Sequence, residues 1–238
     1  MSARFAKKLL HIHSSQKKVL AILVDPEKWN DAYLNRLFSE QFSPQFDWVF
    51  VGGSTVDKGQ LSVCLKAIKE RTNKPVIIFP GDPDQVDPRA DALLLLSLLN
   101  SRNPEFIVGK HIESAEALRD SGLELISTAY ILVGHDHETE VARVSNTIPL
   151  SDPDQICRSV LAAEQMGKQL VYLESGSGAD RSLDPDILRR CREEVDIPIV
   201  VGGGIQTLSI AKQYWQFGAD IVVVGTAIEH DMDRFFRS

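Results

Sequence analysis

The chain has 238 residues, 43% hydrophobic and 25% charged, the composition of a soluble globular protein and a length that one large α/β domain can use. A net charge of −7 argues against a nucleic-acid surface and against general attraction to anionic membrane. Cys64, Cys157 and Cys191 are odd in number and widely spaced with no CxxC, so neither a disulfide framework nor a zinc site is expected, and the expected compartment is a reducing cytoplasm. The opening MSARFAKKLLHIHSSQKK has no apolar core long enough for a signal peptide, and the greasiest run, 92–99, has the length of a strand rather than a membrane span.

Taken in order, residues 1–17 read as a helix with Phe5, Leu9 and Ile12 on one face, and with His11 and His13 as polar punctuation rather than catalysts. VLAILVD (19–25) reads as a buried strand stopped by Pro26, followed by a helix over 31–40 that Asp31 can open. WVFVGGS (48–54) is a second strand, with a helix over 58–71 behind it. PVIIFPG (75–81) is a third strand, followed by the loop DPDQVDP, and ALLLLSLL (92–99) is a fourth, with a helix over 113–121 closed by Gly122. LISTAYILVG (125–134) is a fifth, and a longer connection leads from it to a helix opened at Ser151-Asp152-Pro153 and ended by Gly167. LVYLES (170–175), IPIVVGGGI (197–205) and DIVVVGTAI (220–228) complete the strands, with helices over 184–194 and 207–217 between them. Continuous Val/Ile/Leu runs are what strands covered on both faces require. Eight β/α units in one domain point to a (β/α)₈ TIM barrel.

A barrel puts its chemistry at the C-terminal ends of its strands. Tyr172 and Glu174 stand two apart on strand six, so they share a face, and Gly176-Ser177-Gly178 follows. Strand seven ends in Gly202-Gly203-Gly204 and strand eight in Gly225-Thr226. Such glycines serve tight turns, or they let backbone amides and the next helix N-terminus approach an anion. Both loops sit where this fold binds phosphate, which favours the second reading. Asp25 ends strand one, and Ser54 or Thr55 ends strand two. Asp25 caps the following helix, or with the hydroxyl it offers the few hard oxygens that suit Mg²⁺; position alone leaves both open.

Tyr172–Ala179, Gly202–Ile205 and Val224–Ala227 together resemble the geranylgeranylglyceryl phosphate synthase family, which includes bacterial heptaprenylglyceryl phosphate synthases. Leu23–Pro26, Phe50–Ser54, Ser97–Ser101 and Ile107–Gly109 extend the resemblance over nearly the whole chain. It implies prenyl transfer from a polyprenyl diphosphate, geranylgeranyl diphosphate above all, to the sn-3 hydroxyl of sn-glycerol 1-phosphate. It implies Mg²⁺ held by Asp25 and Ser54. It places glycerol phosphate on Tyr172, Leu173, Glu174, Ser175, Gly176, Ser177 and Gly178, with Gly203, Gly204, Gly225 and Thr226. In this chemistry Glu174 accepts the hydroxyl proton, Tyr172 orients the glycerol, and Leu98, Leu99, Tyr130 and Ile131 are candidates for a greasy groove. It further implies a homo-oligomer, dimer or hexamer, with Trp215 and Phe217 as outward apolar residues, and a transient membrane contact for lipid substrate and product. One departure stands out: some relatives carry a lysine where this chain has Leu23, so any phosphate contact of that lysine is absent here or made by other groups.

Two other classes fit parts of the pattern. A phosphosugar isomerase or aldolase-like barrel uses the same phosphate loops but wants an acid–base pair or a Schiff-base lysine, and no strand ends in lysine. A non-catalytic phosphate sensor would not need the Tyr–Glu pair across the mouth from a metal position.

Overall fold

Eight Val-, Ile- and Leu-rich runs form parallel strands: β1 (Val19–Val24), β2 (Trp48–Val51), β3 (Val76–Ile78), β4 (Ala92–Leu98), β5 (Glu124–Leu132), β6 (Leu170–Glu174), β7 (Ile199–Gly202) and β8 (Ile221–Val224). They pair in sequence order and β8 pairs with β1, so the sheet closes into the expected barrel and leaves no edge. The structure, a computed structural model, describes residues 4–53, 55–57, 59–134, 139–176 and 182–238. The helices are α1 (Arg4–Ser14), α2 (Asp31–Leu37), α3 (Gln60–Lys69), α4 (Gly109–Ser121), α5 (Glu140–Ser145), α6 (Pro153–Gln165), α7 (Pro185–Glu194), α8 (Leu208–Gln216), α9 (Thr226–His230) and α10 (Met232–Arg237). None of the described helices is long and apolar enough to cross a membrane.

Alternation along each strand divides the core. Phe50, Leu94, Tyr130, Tyr172 and Val223 fill the barrel interior, while Leu20, Val49, Leu93, Ile131 and Leu173 pack outward against the helices. α1 closes the N-terminal end: Phe5, Leu9 and Ile12 are buried, and the rings of Phe5 and Trp48 lie 4.8 Å apart. The first N–H groups of α1, at Phe5 and Ala6, each donate to the Glu124 carboxylate over 2.7 Å. A negative group thus meets the orphan donors and positive end of the helix from the start of another strand. Glu124→Ala is expected to cost about 1 kcal/mol, read as a lower urea midpoint at unchanged slope. His13 pairs with Asp220 at 3.2 Å at this same end, away from the strand C-termini, which agrees with its non-catalytic reading.

Several expected boundaries shift. β7 stops at Gly202 rather than 205, and β8 at Val224 rather than 228. The apolar residues that seem to prolong β8 instead start α9, which buries Ile228 and ends at His230; Asp231 breaks the chain before α10, which buries Met232, Phe235 and Phe236. Asn30, not Asp31, caps α2, accepting from the Tyr33 N–H at 2.8 Å. α4 starts at Gly109 rather than 113, behind a 3₁₀ turn at Pro104–Phe106. The long connection before α6 holds the short α5, opened by Thr139. Trp215 and Phe217 are partly buried against the core instead of projecting from the surface. β3 is joined to β4 by a loop without a helix, and Phe79, Pro80, Gly81 and Gln85 of that loop line a cavity.

Candidate functional site

A cavity of about 570 Å³ lies over the C-terminal ends of the strands and runs out between β4 and α4. One end is polar, walled by Gly203, Gly204, Gly225 and Thr226 with Asp25 and Lys28 facing them. The other is apolar, walled by Phe79, Leu96, Leu98, Phe106, Leu118 and Tyr130. Tyr172 and Glu174 stand where the two ends meet.

β6 sets their positions. Its alternation sends Tyr172 and Glu174 into the barrel and Leu173 into the helix layer. Tyr172 is fixed by aromatic contact, stacked on Phe79 with centroids 5.2 Å apart and against Tyr130 at 5.3 Å. Its hydroxyl donates to the Glu174 carboxylate, and the Gly176 N–H donates to Glu174 Oε1 over 2.7 Å. Glu174 is 7% exposed. Burial pushes its carboxyl up to about 7, while the bonds from Gly176 and Tyr172 pull the other way. A carboxylate at that value exchanges protons near neutral pH. Burial, and then the charge of Glu174, hold the Tyr172 phenol well above its usual range, so it stays a neutral donor.

The glycines beside this pair are required by space. A Cβ on Gly202 would overlap the Tyr172 hydroxyl and come within 2.9 Å of Glu174 Oε2. Gly203 has φ +84°, and a Cβ there would lie 2.5 Å from Glu174 Oε1 and 2.6 Å from the Gly176 nitrogen. The strand-seven loop is therefore the surface against which the carboxylate is seated. Gly225 lies over Leu23, whose Cβ would be 3.5 Å from one placed on Gly225, so β1 offers carbon rather than a cation at this loop.

Asp25 lies in the turn after β1, where the Lys28 N–H donates to its carbonyl at 3.1 Å and the Glu27 N–H to its Oδ1 at 3.0 Å. The same turn brings Lys28 Nζ to 3.1 Å from Asp25 Oδ2 and 3.8 Å from Glu229 Oε2 on α9. A Cβ on Gly53 would lie 3.1 Å from Asp25 Oδ1, so the glycine leaves the carboxylate room. Among the described residues no three of His, Cys, Asp and Glu gather as a metal cage. Asp25 offers hard carboxylate oxygens, one of them paired with Lys28, and such oxygens are the donor type used by a Mg²⁺ that keeps its waters.

Of the residues singled out from sequence, Tyr172, Glu174, Asp25, Gly203, Gly204, Gly225 and Thr226 all line this one cavity, with Leu98 and Tyr130 at its apolar end. Leu173, Leu99 and Ile131 belong to the outer layer, and Ser175 is buried with its hydroxyl unpartnered. Ser54, Ser177 and Gly178 lie outside the described residues. The sequence reading passed over Phe79, Phe106, Lys28 and Glu229 as cavity residues. Lys28 is findable, three residues after Asp25 behind a proline turn; Phe106 lies on a 3₁₀ turn and Glu229 on α9, two elements absent from the sequence reading.

A profile described as the PcrB family matches residues 13–238. A geranylgeranylglyceryl phosphate synthase from Zunongwangia profunda is 43% identical, covering 90% of this chain and 92% of the relative. One from Thermococcus sibiricus is 38% identical over 92% of this chain and 87% of its own. The crystal structure of (S)-3-O-geranylgeranylglyceryl phosphate synthase from Thermoplasma acidophilum, in complex with its substrate sn-glycerol-1-phosphate, superposes with a TM-score of 0.89 at 34% identity, covering 97% of this chain and 93% of that one. On these matches and on the barrel they share, the chain belongs to the PcrB family, alongside the geranylgeranylglyceryl phosphate synthases.

Proposed function

We propose that the protein joins a polyprenyl group, geranylgeranyl from its diphosphate, to the sn-3 hydroxyl of sn-glycerol 1-phosphate, releasing diphosphate. The observation that carries this reading is the place of Glu174: a buried carboxylate poised near neutral pH, where a glycine-lined polar pocket meets an apolar arm. A small phosphate and a long hydrocarbon need such a junction, and a phosphosugar isomerase has no use for the apolar arm. The names of the relatives and the ligand of the Thermoplasma acidophilum structure support the same substrates.

The phosphate of the acceptor is taken by amides of the Gly203-Gly204 and Gly225-Thr226 loops, with the glycerol reaching back to Tyr172 and Glu174. Glu174 accepts the hydroxyl proton as the oxygen bonds to the allylic carbon, and Tyr172 holds the carboxylate in line. Phe79, Leu98 and Phe106 cover the chain and keep water from the electron-poor carbon. Asp25, with Ser54, would hold Mg²⁺, which when bound supplies Lewis-acid neutralisation of the leaving diphosphate.

The test is transfer of labelled glycerol 1-phosphate into an organic phase, with geranylgeranyl diphosphate and longer donors in separate reactions. Extracted label that vanishes with EDTA and returns with Mg²⁺ is the expected result. No extraction with any donor, beside tight binding of a sugar phosphate, would overturn it.

A further inference from the structure

The reaction handles two anions, and the cavity treats its two polar walls differently. The glycine loops present backbone amides, which suit the monophosphate. On the transferase reading the diphosphate leaves at the β1 turn, where Asp25 stands next to the strand-eight loop, and a diphosphate cannot lie against a bare carboxylate. Lys28 is a cation at that wall, where Arg234 also lines the cavity: its ammonium lies 3.1 Å from Asp25 and 3.8 Å from Glu229, linking the β1 turn to the helix behind the strand-eight loop. Lys110, the next lysine along the cavity, is engaged by the Gly81 carbonyl at 2.8 Å and by Asp82 at 3.2 Å, and stands over the Phe106 ring.

We propose that Lys28 is a leaving-group residue, exchanging its contact with Asp25 for the departing diphosphate when substrate and cation are bound. Its side chain is 57% exposed, so as an ion pair it contributes little to the fold. What it does is cancel charge between Asp25 and Glu229, two neighbouring carboxylates that otherwise repel; burial pushes Glu229 up and Asp25 adds to that, while Lys28 pulls it back. A divalent cation held at Asp25 would supply that neutralisation instead. The displaced ammonium, on a flexible stem anchored in a proline turn, then remains within reach of the phosphoryl oxygens. The allylic C–O bond breaks with its electron pair on diphosphate, the ether bond forms from the glycerol oxygen, and the hydroxyl proton goes to Glu174. Lys28 meets the charge that appears on the first of these.

The proposal rests on the transferase reading only for the identity of the anion. Its test is calorimetric titration of Mg·pyrophosphate, of glycerol 1-phosphate and of Mg²⁺ alone into wild type, Lys28→Ala and Lys28→Arg. Lys28→Ala is expected to weaken Mg·pyrophosphate by about tenfold or more, with Lys28→Arg recovering most of the loss. Glycerol 1-phosphate should stay within about twofold, and Mg²⁺ alone should bind at least as tightly, since no ammonium competes for Asp25. Unchanged pyrophosphate affinity, or equal weakening of both anions, would overturn the assignment. Lys28→Gln, which keeps the stem and removes only the charge, decides the matter if the alanine protein fails to fold. A wild-type protein that binds Mg·pyrophosphate through Lys28 yet transfers no prenyl group would sink the transferase reading and leave Lys28 as a diphosphate contact without a leaving-group role.

Discussion

Glu174→Gln is expected to lower kcat by about 10²–10⁴ while leaving the protein folded and at least as stable at pH 8. The two halves of this result have one cause. Burial raises the Glu174 carboxyl from its ordinary value to about 7. Between the unfolded value near 4.5 and about 7, the native state therefore holds a proton that the unfolded chain has lost. Stability then falls as pH rises through that window, by a total on the order of 3 kcal/mol. Glutamine keeps the shape of the protonated acid and cannot ionise, so the variant escapes this loss. It can still meet the Tyr172 hydroxyl, but it cannot take a proton from glycerol. For the wild type, kcat/KM should rise with pH through about 7 and level off above, because the base must be ionised. A Gln variant with near-normal turnover, or a wild-type profile flat between pH 6 and 8, would remove Glu174 from the proton-acceptor role.

The barrel was legible because strands covered on both faces need unbroken Val, Ile and Leu, and eight such runs separated by helical spacing have few other solutions. The ends of those runs were less legible. Hydrophobicity marks burial, not conformation, so Ala227 and Ile228 read as strand although Gly225 had already turned the chain into α9. The site followed the same division. Tyr172, Glu174 and the strand-seven and strand-eight glycines were visible, because period two and the strand ends place them. Phe79 was hidden in a run that also fits core packing, and only the closed sheet shows its ring stacked on Tyr172. Lys28 belongs to no motif in the sequence; its meaning comes from Glu229, about two hundred residues away in sequence and 3.8 Å away in space.

Gly203→Ala is expected to reduce kcat/KM by about 10³ without unfolding the barrel, since a misplaced catalytic group and a lost positioning bond each cost about 10² or more. The added methyl would meet Glu174 Oε1 at 2.5 Å and the Gly176 nitrogen at 2.6 Å, the two atoms joined by the hydrogen bond that seats the carboxylate. Relief requires one of them to move, and with it either the base or the loop that follows β6. The φ of +84° adds strain of its own, which alone would lower stability and not chemistry. Gly59→Ala separates the two effects: it imposes a similar φ, +91°, with nothing among the described residues within 4 Å of the new Cβ. That control should lose about 1 kcal/mol of stability and keep its turnover. If both variants lose stability alike and both stay active, the strand-seven glycine serves the turn and not the base. If only Gly203→Ala loses activity, the glycine loop has two tasks at once, opening amides to the phosphate and fixing the distance at which Glu174 meets the hydroxyl.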